Sequence, residues 1–162
     1  HDGPAAVRYP RGAGIGAETT GQALESLPIG KGLIVRSISE QLPPQKKIAF
    51  ICFGPLLYNA LSVAEEINAT VVDMRFVKPL DEEMLCDIAR THDALVFVED
   101  SAVKGGAGSA CLEVLADQNI QIESLQMGLP DEYVEHGDVN FLLDLYGLSS
   151  EKMKQRVAAR FL

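Results

Sequence analysis

From residue 47 onward the chain alternates between two hydrophobic periods. KIAFICF (47–53), TVVDMRFV (70–77), ALVFVED (94–100) and IQIESLQM (120–127) are short, nearly continuous apolar runs, which predicts strands covered on both faces. Between them, LLYNALSVAEEI (56–67), DEEMLCDIART (81–91) and GGAGSACLEVLADQ (105–118) carry apolar residues at helical spacing. Asp81 is placed as an N-cap, with Glu82 and Glu83 in the first turn where the helix dipole favours acids. DVNFLLDLYG (138–147) and SSEKMKQRVAARFL (149–162) read as two further helices, the second with serines as caps. Ahead of this series lie two strand-like runs, AAVRY (5–9) and GLIVRSI (32–38). The order β-α-β-α-β-α-β over 47–127 predicts an α/β fold. It is a three-layer α/β/α sandwich on a mostly parallel sheet, doubly wound, with right-handed crossovers and those four strands parallel. Residues 1–30 are expected to be the least regular part, with a loop over 13–30 and a turn at LPPQ (42–45) before the first core strand.

The 162 residues, 47% of them hydrophobic, suit one sizeable core. A net charge of -9, from 23 acidic against 14 basic residues, argues against a nucleic-acid surface. It leaves room for one phosphorylated small molecule held by one or two arginines. No apolar run is long enough to span a membrane. Residue 1 is His rather than Met and the start does not resemble a signal peptide, so the chain is read as a piece of a longer polypeptide. Cys52, Cys86 and Cys111 are far apart, with no CxxC pair, and His1, His92 and His136 are equally scattered. A metal site is not expected, and buried thiols in a reducing cytoplasm are the preferred reading.

Few stretches offer chemistry. Gly12-x-Gly14-x-x-Ala17 is a loose dinucleotide fingerprint, but Pro10 precedes it and no strong helix follows, so it reads as the exit from a strand. Gly105 and Gly106, in KGGAG, stand between a strand and a helix. An anion received by the helix N-terminus is one reading; close packing of the helix start against the strand is the preferred one. Glu99 and Asp100 end a strand where ligands bind in parallel sheets, as acid or base groups or, more commonly, as solvated loop carboxylates. Asp73 and Arg75, two apart, are expected to share one face of a strand as a structural ion pair, and Lys78 before Pro79 marks a turn. In the extended AVRYPRG run, Tyr9 and Arg11 point to one face and Arg8 to the other. Arg11, followed at once by Gly12, is suited either to a phosphate or to an interface salt bridge.

DGPAAVRYPRG (2–12), LPIGKG (27–32) with ATVVDMRFVKPLDEE (69–83), VFVEDSAVKGGAGSACLEVL (96–115) and GLPDEYVEHGD (128–138) together resemble the 1-deoxy-D-xylulose-5-phosphate synthase family of transketolase-like thiamine diphosphate enzymes. Beta subunits of 2-oxo acid dehydrogenases carry a strand and turn similar to DMRFVKPLD. Such a subunit, a transketolase C-terminal domain and a non-catalytic assembly domain are the alternatives.

The resemblance implies that residues 1–16 are the last strand and exit of a pyrimidine-binding domain and 17–162 a transketolase C-terminal domain. It implies an enzyme using thiamine diphosphate and Mg that joins pyruvate to glyceraldehyde 3-phosphate with loss of CO2. That reaction supplies isoprenoid, thiamine and pyridoxal precursors. The implied partners are the rest of the polypeptide and a second copy in a homodimer, in the bacterial cytoplasm or in a plastid. The single site residue it assigns to this chain is Arg11, on the substrate phosphate. The family's GDG…N motif does not occur, and GDVN at 137–140 is not that motif. No catalytic, cofactor-binding or metal residue is therefore assigned here, and the fragment is expected to be inactive alone.

Overall fold

A computed structural model describes residues 1–10, 16, 26–41 and 43–162. At its centre is β2, Ile48–Phe53, every residue of which is buried. The runs β1 (Leu33–Arg36), β3 (Thr70–Asp73), β4 (Ala94–Ala102) and β5 (Glu123–Leu129) complete one sheet in the order β1-β3-β2-β4-β5. Strands β3, β2, β4 and β5 are parallel throughout, as expected; β1 adds an antiparallel edge, pairing Leu33 with Asp73 and Ile34 with Val72.

The nearly continuous apolar runs have a simple cause. Successive side chains leave a strand on opposite faces, and both faces are covered. Phe50, Cys52, Val96 and Val98 pack with Ala60 and Val63 of α1 (Leu57–Ile67) and Met153 and Val157 of α5 (Ser150–Phe161). Ala49, Ile51, Leu95 and Phe97 pack on the other side with Leu85 and Ile88 of α2 (Glu82–Thr91) and Cys111 and Leu115 of α3 (Ala107–Asp117). A short helix, α4 (Val139–Leu145), precedes α5.

The helix starts follow the capping chemistry in the sequence. Asp81 accepts the Met84 N–H at 3.3 Å, Asp138 the Phe141 N–H at 3.0 Å, and Ser149 the Lys152 N–H at 3.4 Å. Asp81 also accepts from the Gly32 N–H at 3.0 Å and from Lys31 Nζ at 3.4 Å, tying the entry of β1 to the start of α2. Burial works against the ionised Asp81 carboxyl, but the Gly32 and Met84 N–H groups and Lys31 outweigh it and hold it below the usual carboxylate range.

Strand boundaries differ from the sequence reading where the backbone is redirected. The run 70–77 ends as a strand at Asp73, because Arg75 takes a positive φ of 58° and its N–H turns back to the Asp73 carboxylate at 3.1 Å. The run 120–127 becomes a strand only at Glu123. Before it, Asn119 at φ 54° reverses the chain and the Ile120 N–H bonds Leu115 O at 2.8 Å, so Ile120 and Ile122 pack against the α2–α3 side as part of a helix exit. AAVRY (5–9) pairs with no described strand, and Val7 and Tyr9 are exposed, in keeping with the expectation that residues 1–30 are the least regular part. A strand needs a neighbour for its N–H and C=O groups, which a residue pattern alone cannot supply. No helix or strand occurs among the described residues of 1–30.

Candidate functional site at the carboxyl edge of the sheet

The chain leaves β2 through α1 on one face and leaves the adjacent β4 through α3 on the other. The carboxyl ends of β2 and β4 are therefore the topological switch point, where doubly wound sheets open a crevice for ligands. Three elements meet there: Gly54 just after β2, Glu99 and Asp100 on β4, and the start of α3.

Glu99 is 2% exposed, and its carboxylate is fully engaged. Oε2 accepts the Ala107 N–H at 2.9 Å and the Ser101 hydroxyl at 2.6 Å, and Oε1 accepts the Gly108 N–H at 3.0 Å. These are the first amides of α3, so the anion at this helix N-terminus is the protein's own. The two glycines make room for it. A Cβ on Gly106 would stand 2.3 Å from Glu99 Oε2 and 2.4 Å from Ala102 O, and one on Gly108 would stand 3.0 Å from Phe97 Cβ. Close packing of the helix start, the preferred sequence reading of KGGAG, is what the structure has. The reading of Glu99 as a solvated loop carboxylate or a free acid or base is corrected: it is a buried helix cap. The missed signal was the lack of Ser, Thr, Asp or Asn ahead of α3. A helix opening on GGAG has no side chain of its own to satisfy its first N–H groups, so the acceptor has to come from elsewhere in the chain.

Asp100, the next residue, faces the N-terminal segment. Arg8 grips it twice, through Nη1 to the carboxylate and through Nη2 to the main-chain oxygen at 3.1 Å. Gly54, at φ 88°, lies under this pair, and a Cβ there would stand 3.4 Å from Asp100 Oδ1. Asp73 and Arg75 are paired at 3.9 Å. They form that contact across a turn rather than along one strand face, so the ion-pair reading stands and its geometry is corrected. Lys78 lies in the bend that leads to α2. Arg11, and with it Gly12, Gly14 and Ala17, lies outside the described residues, as does the boundary drawn between 16 and 17.

The cysteines and His92 are drawn into the protein's own packing. Cys52, Cys86 and Cys111 are buried and free; burial and the nearby Glu99 charge push the Cys111 thiol up to about 12. His92 bonds Ile88 O through Nδ1 at 3.0 Å and Thr70 Oγ1 through Nε2 at 2.9 Å, and burial lowers its pKa. Among the described residues no group of three or more His, Cys, Asp or Glu side chains converges as metal ligands would. No helix among them is long and apolar enough to cross a membrane. At the switch point, the position where an external diphosphate would meet helix N–H groups is filled by Glu99, so these residues do not fit one.

Fold and site together define a doubly wound α/β domain in which a buried carboxylate caps the helix at the switch point and an arginine from the N-terminal segment pairs with the residue beside it. The chain belongs to the family described as transketolase, C-terminal domain, which matches residues 39–153. It is 49% identical, over 161 residues and 99% of its length, to 1-deoxy-D-xylulose-5-phosphate synthase of Bordetella parapertussis. It is 51% identical, over 96% of its length, to the enzyme of that name from Neisseria gonorrhoeae. It spans about a quarter of these relatives, 25% of the first and 23% of the second. Among solved structures it is similar to a split-gene transketolase, described as an inactive beta4 tetramer, with a TM-score of 0.71 and 31% identity, covering 83% of this chain and 43% of that one.

Proposed function

We propose that this chain is the C-terminal part of a 1-deoxy-D-xylulose-5-phosphate synthase. The intact enzyme would condense pyruvate with glyceraldehyde 3-phosphate, with loss of CO2, in isoprenoid precursor synthesis. The observation that carries this reading is the 49% identity to an enzyme of that name over 99% of the chain. The 31% identity to a transketolase supports that alternative less well. In this reading residues 1–16 close the pyrimidine-binding domain and 17–162 form the C-terminal domain of a cytoplasmic homodimer. Thiamine diphosphate and Mg are held by the upstream domains, and thiamine diphosphate supplies the carbanion chemistry. This chain contributes scaffold, part of the dimer contacts, and Arg11 on the substrate phosphate.

Two results follow. The isolated chain folds but turns over neither substrate with thiamine diphosphate and Mg, and titration calorimetry detects no thiamine diphosphate binding. Measurable turnover, or a saturating heat, would refute the division of labour. In the full-length enzyme, Arg11→Ala raises the KM for glyceraldehyde 3-phosphate about ten- to hundredfold, as expected for losing a charge-assisted hydrogen bond of roughly 1.5–3 kcal/mol. The pyruvate constant stays put, and Arg11→Lys recovers only part of the loss because the planar fork is gone. An unchanged glyceraldehyde 3-phosphate constant removes Arg11 from the phosphate site and leaves it an interface residue.

A further inference from the structure

We propose that the carboxyl end of β5 carries a binding site for a small monocarboxylate with an apolar body, held by Arg156. The site is an open cavity of about 410 Å³ whose walls include Val103, Leu129, Pro130, Leu145, Tyr146 and Arg156. The carboxyl ends of strands are where doubly wound sheets take their ligands, and β5 is the edge strand beside β4. The proposal goes beyond the synthase reading and does not depend on it.

Three observations carry it. First, the arginine is held in place. Its Nη2 donates to Gln126 O at 3.1 Å and its Nη1 to Gly147 O at 3.4 Å, which ties α5 to β5 and to the turn after α4. Gly147, at φ 73°, leaves the space the side chain needs: a Cβ there would stand 3.1 Å from Arg156 Cδ and 3.3 Å from Nη1. Second, the protein does not match its charge. Arg8, Arg75 and Arg90 each pair with an aspartate, whereas half-buried Arg156 meets two main-chain oxygens and no carboxylate among the described residues. Burial lowers its pKa and no neighbouring acid offsets this, yet a guanidinium stays charged. Two of its five N–H bonds are used, and the others have no described acceptor. Third, the surroundings select the anion. The walls are largely apolar, and no second lysine or arginine is among the described residues that line them. One positive charge is therefore available, in a chain whose net charge is -9. A monocarboxylate matches a guanidinium charge for charge and oxygen for N–H. A phosphate dianion would bring a surplus charge against apolar walls, which is costly.

The test uses the full-length enzyme with benzoate as the probe, followed by saturation-transfer NMR, in the parent and in Arg156→Gln, Arg156→Lys and Leu145→Glu. Leu145 is 60% exposed, so Leu145→Glu leaves the fold and the melting temperature unchanged while placing a carboxylate of the protein's own at the cavity, where it competes for Arg156. The parent is expected to bind benzoate with a Kd on the order of 1 mM. Arg156→Gln and Leu145→Glu each weaken binding about tenfold or more, and Arg156→Lys lies between, keeping the charge but losing the fork. Inorganic phosphate at the same concentration does not displace the probe.

A parent enzyme that does not bind benzoate overturns the proposal. So does binding that Arg156→Gln and Leu145→Glu both leave at the parental level, since the probe then sits elsewhere. A loss seen in Arg156→Gln alone, with Leu145→Glu parental, also overturns it, because that pattern marks disturbed packing of α5 rather than a lost contact. Displacement of benzoate by equimolar phosphate rejects the monocarboxylate as the ligand class.

Discussion

Replacing Glu99 with Ala is expected to destabilise the domain by about 3–5 kcal/mol, a large share of the roughly 5–15 kcal/mol that holds a domain of this kind together. The carboxylate accepts the Ala107 and Gly108 N–H groups and the Ser101 hydroxyl, at 2.6–3.0 Å. With the side chain truncated, the first amides of α3 lose their acceptors while remaining buried. Each buried donor left unpaired costs about 1–3 kcal/mol, and the void adds to the loss. Glu99→Gln is expected to retain part of the stability: its one amide oxygen can serve one donor, but its NH2 group then faces another. Urea unfolding of the three proteins should order them parent, Gln, Ala by midpoint. An Ala variant that melts with the parent would mean the carboxylate is dispensable and the cap assignment wrong.

The second large effect is expected at Gly106. An added methyl group there would lie 2.3 Å from Glu99 Oε2 and 2.4 Å from Ala102 O. Neither neighbour yields easily, since the carboxylate is pinned by its donors and the other is backbone. Overpacking at such a site costs about 3 kcal/mol. Gly105 provides the control one residue away. It sits at φ 70°, and a methyl group added to it would meet nothing within 4 Å, so Gly105→Ala costs only the left-handed backbone term, about 1–2 kcal/mol. Chemical denaturation should show Gly106→Ala clearly more damaging than Gly105→Ala. Equal losses would show that conformational freedom, rather than the space taken by Glu99, is why both positions are glycine.

Much of the architecture was legible because both hydrophobic periods are clean. The buried run Ile48–Phe53 and the amphipathic 82–91 segment with its Asp81 cap leave little choice of element type. Boundaries failed where a polar side chain redirected the backbone. Asp73 captures the Arg75 N–H and ends β3, although Met74, Phe76 and Val77 continue the strand-like composition. The strand-like run 5–9 pairs with no described strand, since pairing is a property of two segments and the composition of one does not reveal the other. At the site, Glu99 and the glycines of KGGAG were each visible in the sequence, but their contact spans eight residues and a turn. Arg8 and Asp100 are 92 positions apart, which no local pattern encodes. Arg11 stands out by its neighbours and by a family resemblance, and it lies outside the described residues.

The central position of β2 has a consequence for synthesis of the chain. Both of its neighbours, β3 and β4, come later in the sequence. IAFICF therefore emerges before either partner exists, six consecutive apolar residues with strand propensity and no charge. Such a segment, unpaired, is the kind that adds to its own copies and seeds aggregation. Its flanks oppose this: Lys46 and Lys47 stand directly before it, and Gly54 and Pro55 directly after. Charges and strand breakers beside an unavoidable apolar run act as gatekeepers. They shield the centre of the future sheet until residues 70–98 have been made.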